Sequence, residues 1–179
     1  MSRDRPTAKP PTGEYEAAGD LAFDYSDYHR TIIGFHGTTA EAAERLVAGE
    51  PFEASDQDDE WFGKGVYFWE HAPKQAWWWA EKHKEFGRPA VVWAMIRLGN
   101  CFDLLDPVNV AVLKRMKELL EGNLASSKNP ISKNVRSHKN LDCAVFNYLY
   151  GRAEAAGTPI ESARAAFVPV SAKKRLWRG

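Results

Sequence analysis

Two short stretches of this chain combine residue types that can do chemistry with backbone that lets a ligand come close. Phe35-His-Gly-Thr38 sets an imidazole beside a glycine at the end of a β-favouring run, Thr31-Ile-Ile-Gly-Phe-His36. Imidazole can donate or accept a hydrogen bond, and bare glycine backbone admits a ligand to contact distance. Phe62-Gly-Lys-Gly-Val-Tyr-Phe68 repeats the arrangement with a tyrosine, and Tyr67 lies 31 positions beyond His36. Taken singly, each residue has a plain structural reading, a satisfied histidine and a packed core tyrosine. Their joint pattern is what points to a site.

Other chemistries are excluded by pattern. There is no Walker phosphate loop, and Gly63-Lys-Gly65 has two glycines where a dinucleotide fingerprint needs three and a following helix. The histidines at 29, 36, 71, 83 and 138 show no metal-ligand spacing, and no Gly-x-Ser-x-Gly elbow exists.

The elements that must position these stretches read as follows. Residues 1–22, with Pro6, Pro10, Pro11 and Gly13, form a loose arm, and one domain spans 23–170. After the His36 strand, Thr38 and Glu41 fit a capping box for a helix whose apolar stripe is Ala42, Ala43, Leu46 and Val47; Gly49 ends it. Trp61 to Trp69 reads as a glycine-rich turn running into an aromatic strand. Pro73 opens a helix to about Lys84, and Ala90 to Leu98 is apolar enough for a central strand buried on both faces. Asp106-Pro107 starts a helix with Val112, Met116, Leu119 and Leu120 on its buried side, closed by Gly122. A polar loop follows over 122–140, then a helix from Leu141 to about Ala156. A last strand covers Ser162 to Val170, and 171–179 form a basic tail. Strands and helices mix without regular βαβ alternation, so the fold class is α+β.

With these stretches in view, the chain resembles the ADP-ribosyltransferase superfamily, in particular its poly(ADP-ribose) polymerase-like branch with a His-Tyr-Glu signature. His36-Gly37-Thr38 is similar to that family's first strand, and Phe62 to Phe68 to its tyrosine strand. Pro73-Lys-Gln-Ala-Trp-Trp78 resembles the next helix, and Leu98-Gly-Asn-Cys-Phe-Asp-Leu104 a later strand exit. The likeness covers roughly residues 31–105 and implies mixed and antiparallel sheets, a split β-sandwich, with flanking helices.

It also implies a substrate, NAD, used without a metal. Breaking the nicotinamide–ribose bond develops positive charge on the ribose, as in glycoside hydrolysis. The protein must therefore hold the dinucleotide in a reactive shape and keep the ring clamped and dry. By resemblance, His36 and Thr38 address the adenosine half, and Gly37 backbone holds the nicotinamide carboxamide. Tyr67 and Trp78 stack on the ring, each face adding about 0.5–1.5 kcal/mol beyond burial. Gly65 and Gln75 complete the cofactor-binding set, with Lys64 directed at phosphate or acceptor or simply an exposed loop lysine. The third catalytic member, beside His36 and Tyr67, is a late carboxylate; Glu161, 62 positions beyond Gly99, is the one placed for it, or else an exposed loop residue. Val168-Pro169-Val170 interrupts the strand that follows, because proline cannot donate to a ladder.

Composition bounds the rest. The chain has 179 residues, with 24 Lys plus Arg against 24 Asp plus Glu, so it carries no formal net charge. That balance disfavours a protein whose main work is coating phosphate backbones or anionic membrane. Cys101 and Cys143 cannot form a disulfide scaffold, and a reduced pair is expected. The start is polar and no apolar run approaches the ~20 residues of a membrane helix, so a cytoplasmic protein without membrane contact is expected. The leading expectation is an enzyme moving one ADP-ribose unit from NAD to a protein or nucleic-acid acceptor, by analogy in the setting of a bacterial toxin or defence effector. The alternatives are a non-catalytic binder of NAD or ADP-ribose, and an NAD glycohydrolase. Oligomeric state leaves no mark in the sequence.

Overall fold

The computed structural model describes residues 30–58, 60–126, 133–134 and 139–167. The N-terminal arm, most of the polar loop, the end of the last strand and the basic tail of the sequence reading lie outside them. Among the described residues there are four α-helices, a three-stranded antiparallel sheet and a two-stranded parallel one, an α+β arrangement.

β1 (Thr31–Thr39) is the middle strand of the larger sheet, between β2 (Trp69–Glu70) and β3 (Pro89–Arg97). Its nine residues pair with β3 from Thr31↔Arg97 to Thr39↔Pro89, with His36 opposite Val92. Pairing with β2 covers only Gly34↔Glu70 and Phe35↔Trp69. The long aromatic strand expected over Trp61–Trp69 is therefore two residues of ladder preceded by a closed turn. β3 is also an edge strand rather than a central one. Trp93 is 65% exposed and Met95 73%, alternate positions on a sheet face that no described residue covers, while Ala94 and Ile96 point to the other face.

α1 (Ala40–Val47) follows β1 directly. Its cap is Thr39, not Thr38: the Thr39 hydroxyl accepts from Ala42 N–H at 3.2 Å, and with Ala42 at the third helical position the expected box with Glu41 does not form. Gly49, at φ +100°, ends the turn as expected. α2 (Pro73–Lys82) has no side-chain cap and starts on Pro73, whose missing N–H needs no partner there. Buried Ala76 and Ala80 lay this helix on the sheet, and a 3-10 turn, Lys84–Phe86, leads on to β3.

The apolar core lies in the other half. β4 (Cys101–Asp103) pairs in parallel with β5 (Ser162–Arg164), and α3 (Pro107–Ser126) and α4 (Asn140–Ala155) make the crossover. Phe102, Met116, Val145, Phe146 and Leu149 form the buried cluster, with Val112, Leu119 and Leu120 packed on it as their spacing predicts. Gly122 does not close α3, which runs on to Ser126. The start of α4 is capped from a distance, since Asn134 Oδ1 accepts from Leu141 N–H at 3.0 Å and Asp142 N–H at 3.3 Å. Arg164 ties the halves together, reaching Asp103 at 3.0 Å and Glu70 at 2.9 Å. Cys101 and Cys143 are free and buried, and burial pushes both thiols up. No helix among the described residues is long and apolar enough to cross a membrane.

Candidate functional site

The strand geometry sets the direction of every backbone group near His36. On one side of β1, His71 N–H donates to Ile33 O at 3.1 Å; on the other, Leu98 N–H donates to Arg30 O at 3.0 Å. Peptide groups alternate sides along a strand, so odd positions of β1 face β2 and even positions face β3. Gly37 therefore aims its N–H and C=O toward the β2 side. The ladder there stops at Phe35↔Trp69. Continued, it would set Gly37 against Tyr67; instead the chain splays into the 62–67 turn and leaves a gap in the rungs.

His36 and Tyr67 are brought together across that gap. His36 Nδ1–H donates to Tyr67 O at 2.8 Å. A carbonyl can only accept, so Nδ1 carries the proton and Nε2 keeps its lone pair as an acceptor. The imidazole is braced edge-on by Phe52 at 5.5 Å and tilted against Phe68 at 5.6 Å. Tyr67 spends its hydroxyl locally: the oxygen accepts from Phe62 N–H at 3.0 Å and donates to Gly63 O. Burial pushes its pKa up, so it stays a neutral phenol. What it can offer a ligand is a ring face, already stacked on Phe62 on one side at 6.2 Å.

The turn that carries Tyr67 is pinned by residues the sequence reading missed. Asn147 Oδ1 accepts from Lys64 N–H at 2.9 Å, and Tyr150 donates from its hydroxyl to Phe62 O at 2.8 Å. Both stand on α4, and nothing near them in the chain signals the partnership. The glycine this turn requires is Gly63, at φ +74° with Asn147 Oδ1 2.3 Å from where a Cβ would sit. Gly65 has open space there and makes a two-way bridge with Ser55 instead. Lys64 reaches Asp56 at 2.5 Å, and that hydrogen bond and charge raise its pKa.

No family model, curated protein or solved structure matches this chain.

The remaining expected residues divide. Gly37 meets a second demand besides its free peptide groups: a Cβ there would stand 2.2 Å from Ala76 O, so only glycine lets α2 lie this close. Gln75 is half-buried in the first turn of α2, and Thr38 is half-buried on β1 opposite Ala90. Trp78 is 50% exposed, with Lys82 Nζ 5.5 Å above its ring. Glu161 is not brought to His36. Its carboxylate accepts from Asn100 N–H at 2.7 Å, and its own N–H donates to Asn100 O at 2.9 Å. Gly99, at φ +58°, leaves the room that this carboxylate fills. Glu161 thus holds the β3–β4 corner, past the Thr31↔Arg97 rung, whereas His36 sits five rungs inward. At roughly 3.3 Å per residue those levels stand about 17 Å apart along the strand. Among the described residues no group of three or more His, Cys, Asp or Glu could hold a metal ion.

Proposed function

We propose that this chain is an NAD-binding domain of ADP-ribosyltransferase type. It takes the nicotinamide end of the dinucleotide into the gap between β1 and the 62–67 turn. The observation that carries the reading is the pair of Gly37 peptide groups aimed past the end of β2. A carboxamide has one acceptor and one donor side, and an unpaired strand residue offers the complementary donor and acceptor at fixed spacing. His36 Nε2 is an acceptor suited to a ribose hydroxyl, and the Tyr67 and Trp78 rings suit a flat heterocycle. The His-Gly-Thr and Gly-Lys-Gly-Val-Tyr-Phe stretches support the same ligand through their resemblance. The implied reaction is transfer of ADP-ribose to a protein or nucleic-acid acceptor with release of nicotinamide.

A second reading has an observation of its own. With its carboxylate engaged at Asn100, Glu161 is a corner residue and not a stabiliser of ribose charge. That favours a domain that holds NAD without cleaving it quickly. The test is nicotinamide release from NAD by the purified chain, with and without cell lysate, compared with Glu161→Gln. A transferase releases nicotinamide and labels a macromolecule in lysate, a hydrolase releases it without labelling, and a binder does neither while still taking up NAD. On the geometry, Glu161→Gln leaves uptake and release unchanged within about twofold; a drop of about a hundredfold or more in release alone would return Glu161 to the reaction.

A further inference from the structure

Outside the His36 gap, the surface carries a run of ring contacts that neither the core nor the proposed NAD site uses. Trp61 meets Phe167 at 5.1 Å, Phe167 meets Trp69 at 4.9 Å, and Trp69 meets Trp79 at 6.5 Å. Trp79 meets His83 at 4.9 Å, and His83 meets Phe86 at 6.3 Å. The track stays open to solvent at both ends and in the middle, with Trp61 43%, Trp79 41% and Phe86 76% exposed.

Cations accompany it. Lys139 Nζ lies 5.9 Å above Trp61, and Lys82 Nζ 5.9 Å above Trp79. Between Pro73 and Arg88, Lys74, Lys82, Lys84 and Arg88 face Glu81 and Glu85. All four cations are exposed and make no ion pair among the described residues, whereas Arg45, Lys64, Arg115, Lys117, Lys139 and Arg164 each have a carboxylate within reach. A chain with no net charge thus gathers an unneutralised positive excess beside exposed rings. Exposed rings flanked by ammonium groups match a ligand with flat faces and a regular line of negative charge. A purely apolar partner would have no use for the lysines.

We propose that this track, from Trp61 to Phe86, is a docking platform for single-stranded nucleic acid. The proposal goes beyond the NAD reading and does not rest on it. Bases stack on Trp79, Phe86 and Trp61, while Lys82, Lys84 and Arg88 follow the phosphates. In a duplex each base is stacked between its neighbours, which hides its faces, so duplex is excluded from the rings.

The test is fluorescence anisotropy of the full chain without NAD. The ligands are a labelled oligothymidylate of about 12 nucleotides and a hairpin duplex of equal charge. The single strand is expected to bind at least about tenfold more tightly than the duplex. Raising salt from about 50 to 200 mM should weaken it roughly twentyfold, as about three neutralised phosphates require. Phe86→Ala, at the most exposed ring, and Lys82→Gln should each weaken binding several-fold, and Trp93→Ser, outside the track, should not. Phe86→Ala and Lys82→Gln touch little else, so their effects are not failures of folding. Absence of single-strand binding, equal binding of the duplex, or indifference to both variants would each overturn the proposal. So would uptake of a proline-rich peptide in place of the oligonucleotide. Because NAD is absent, each result leaves the NAD reading where it stood.

Discussion

The two halves of this molecule are built on opposite terms. Around β4 and β5, α3 and α4 bury Phe102, Met116 and Leu149 to 1% exposure or less, and Asp103 there is matched by Arg164. Around β1, the only buried apolar side chains among the described residues are the small Ala76 and Ala80 of α2, with Leu98 at the far end. Trp77, Trp78, Trp79, Trp93 and Met95 all keep 48% exposure or more except Trp79, at 41%. The first half spends its large side chains on burial and supplies stability. The second keeps them at the surface, where they are available to ligands. The turn at 62–67 joins the two, since its Phe62 packs on the core while its Tyr67 carbonyl accepts from His36. A binding loop is thereby held by the stable half and presented to the open one.

The largest effect should come from breaking the buried half. Phe102→Ala, at 1% exposure, should cost about 3–5 kcal/mol, read as a lowered denaturation midpoint. A loss below about 1 kcal/mol would mean that the core does not carry the fold.

A smaller effect belongs to the joint. Tyr67→Phe removes two hydrogen bonds from the turn and should cost about 1–2 kcal/mol. It should also change the alkaline limb. The folded-state pKa of Tyr67 is raised above its unfolded value near 10, so its contribution is complete below about pH 10 and fades as pH rises further. Melting temperatures compared at about pH 9 and pH 11 should therefore fall less in the variant than in the parent. An equal fall would show that the phenol titrates as it does in the unfolded chain.

The smallest effect is expected at the open face. Trp93→Ser should change stability by no more than about 0.5 kcal/mol, although it replaces a tryptophan on a strand. A loss of 2 kcal/mol or more would show that another part of the chain covers this face.

How much the sequence disclosed differs between the same two halves. The helices were legible because caps, stripes and breakers are local: Pro73 at the start of α2, the Val112–Met116–Leu120 side of α3, and Gly157 and Pro159 beyond the end of α4. Even there, adjacent hydroxyls at Thr38 and Thr39 left the cap ambiguous by one residue. The sheet was less legible. Composition marks Ala90–Leu98 as a strand but says nothing of its neighbours, so an edge strand read as a central one. At the candidate site, His36 and Tyr67 could be picked out by their neighbouring glycines, and the structure brings the His36 ring to the Tyr67 carbonyl; Asn147 and Tyr150, which act from α4 across 83 and 88 positions of sequence, could not. Sequence position alone singles out Glu161 as the carboxylate before the last strand. Its partner, the corner at Gly99 and Asn100, is set by how β4 and β5 pair, and no local motif reports that.

The central claim is that the Gly37 peptide groups and His36 Nε2 hold NAD in the gap between β1 and the 62–67 turn. The most direct measurement is an NAD titration by calorimetry of the parent and His36→Ala, with melting temperatures of both as a folding control. The account predicts saturable, one-to-one uptake of NAD by the parent, weakened about five- to tenfold by loss of one ribose hydrogen bond in a folded variant. No uptake by the parent at millimolar NAD, or equal uptake by both, would contradict it.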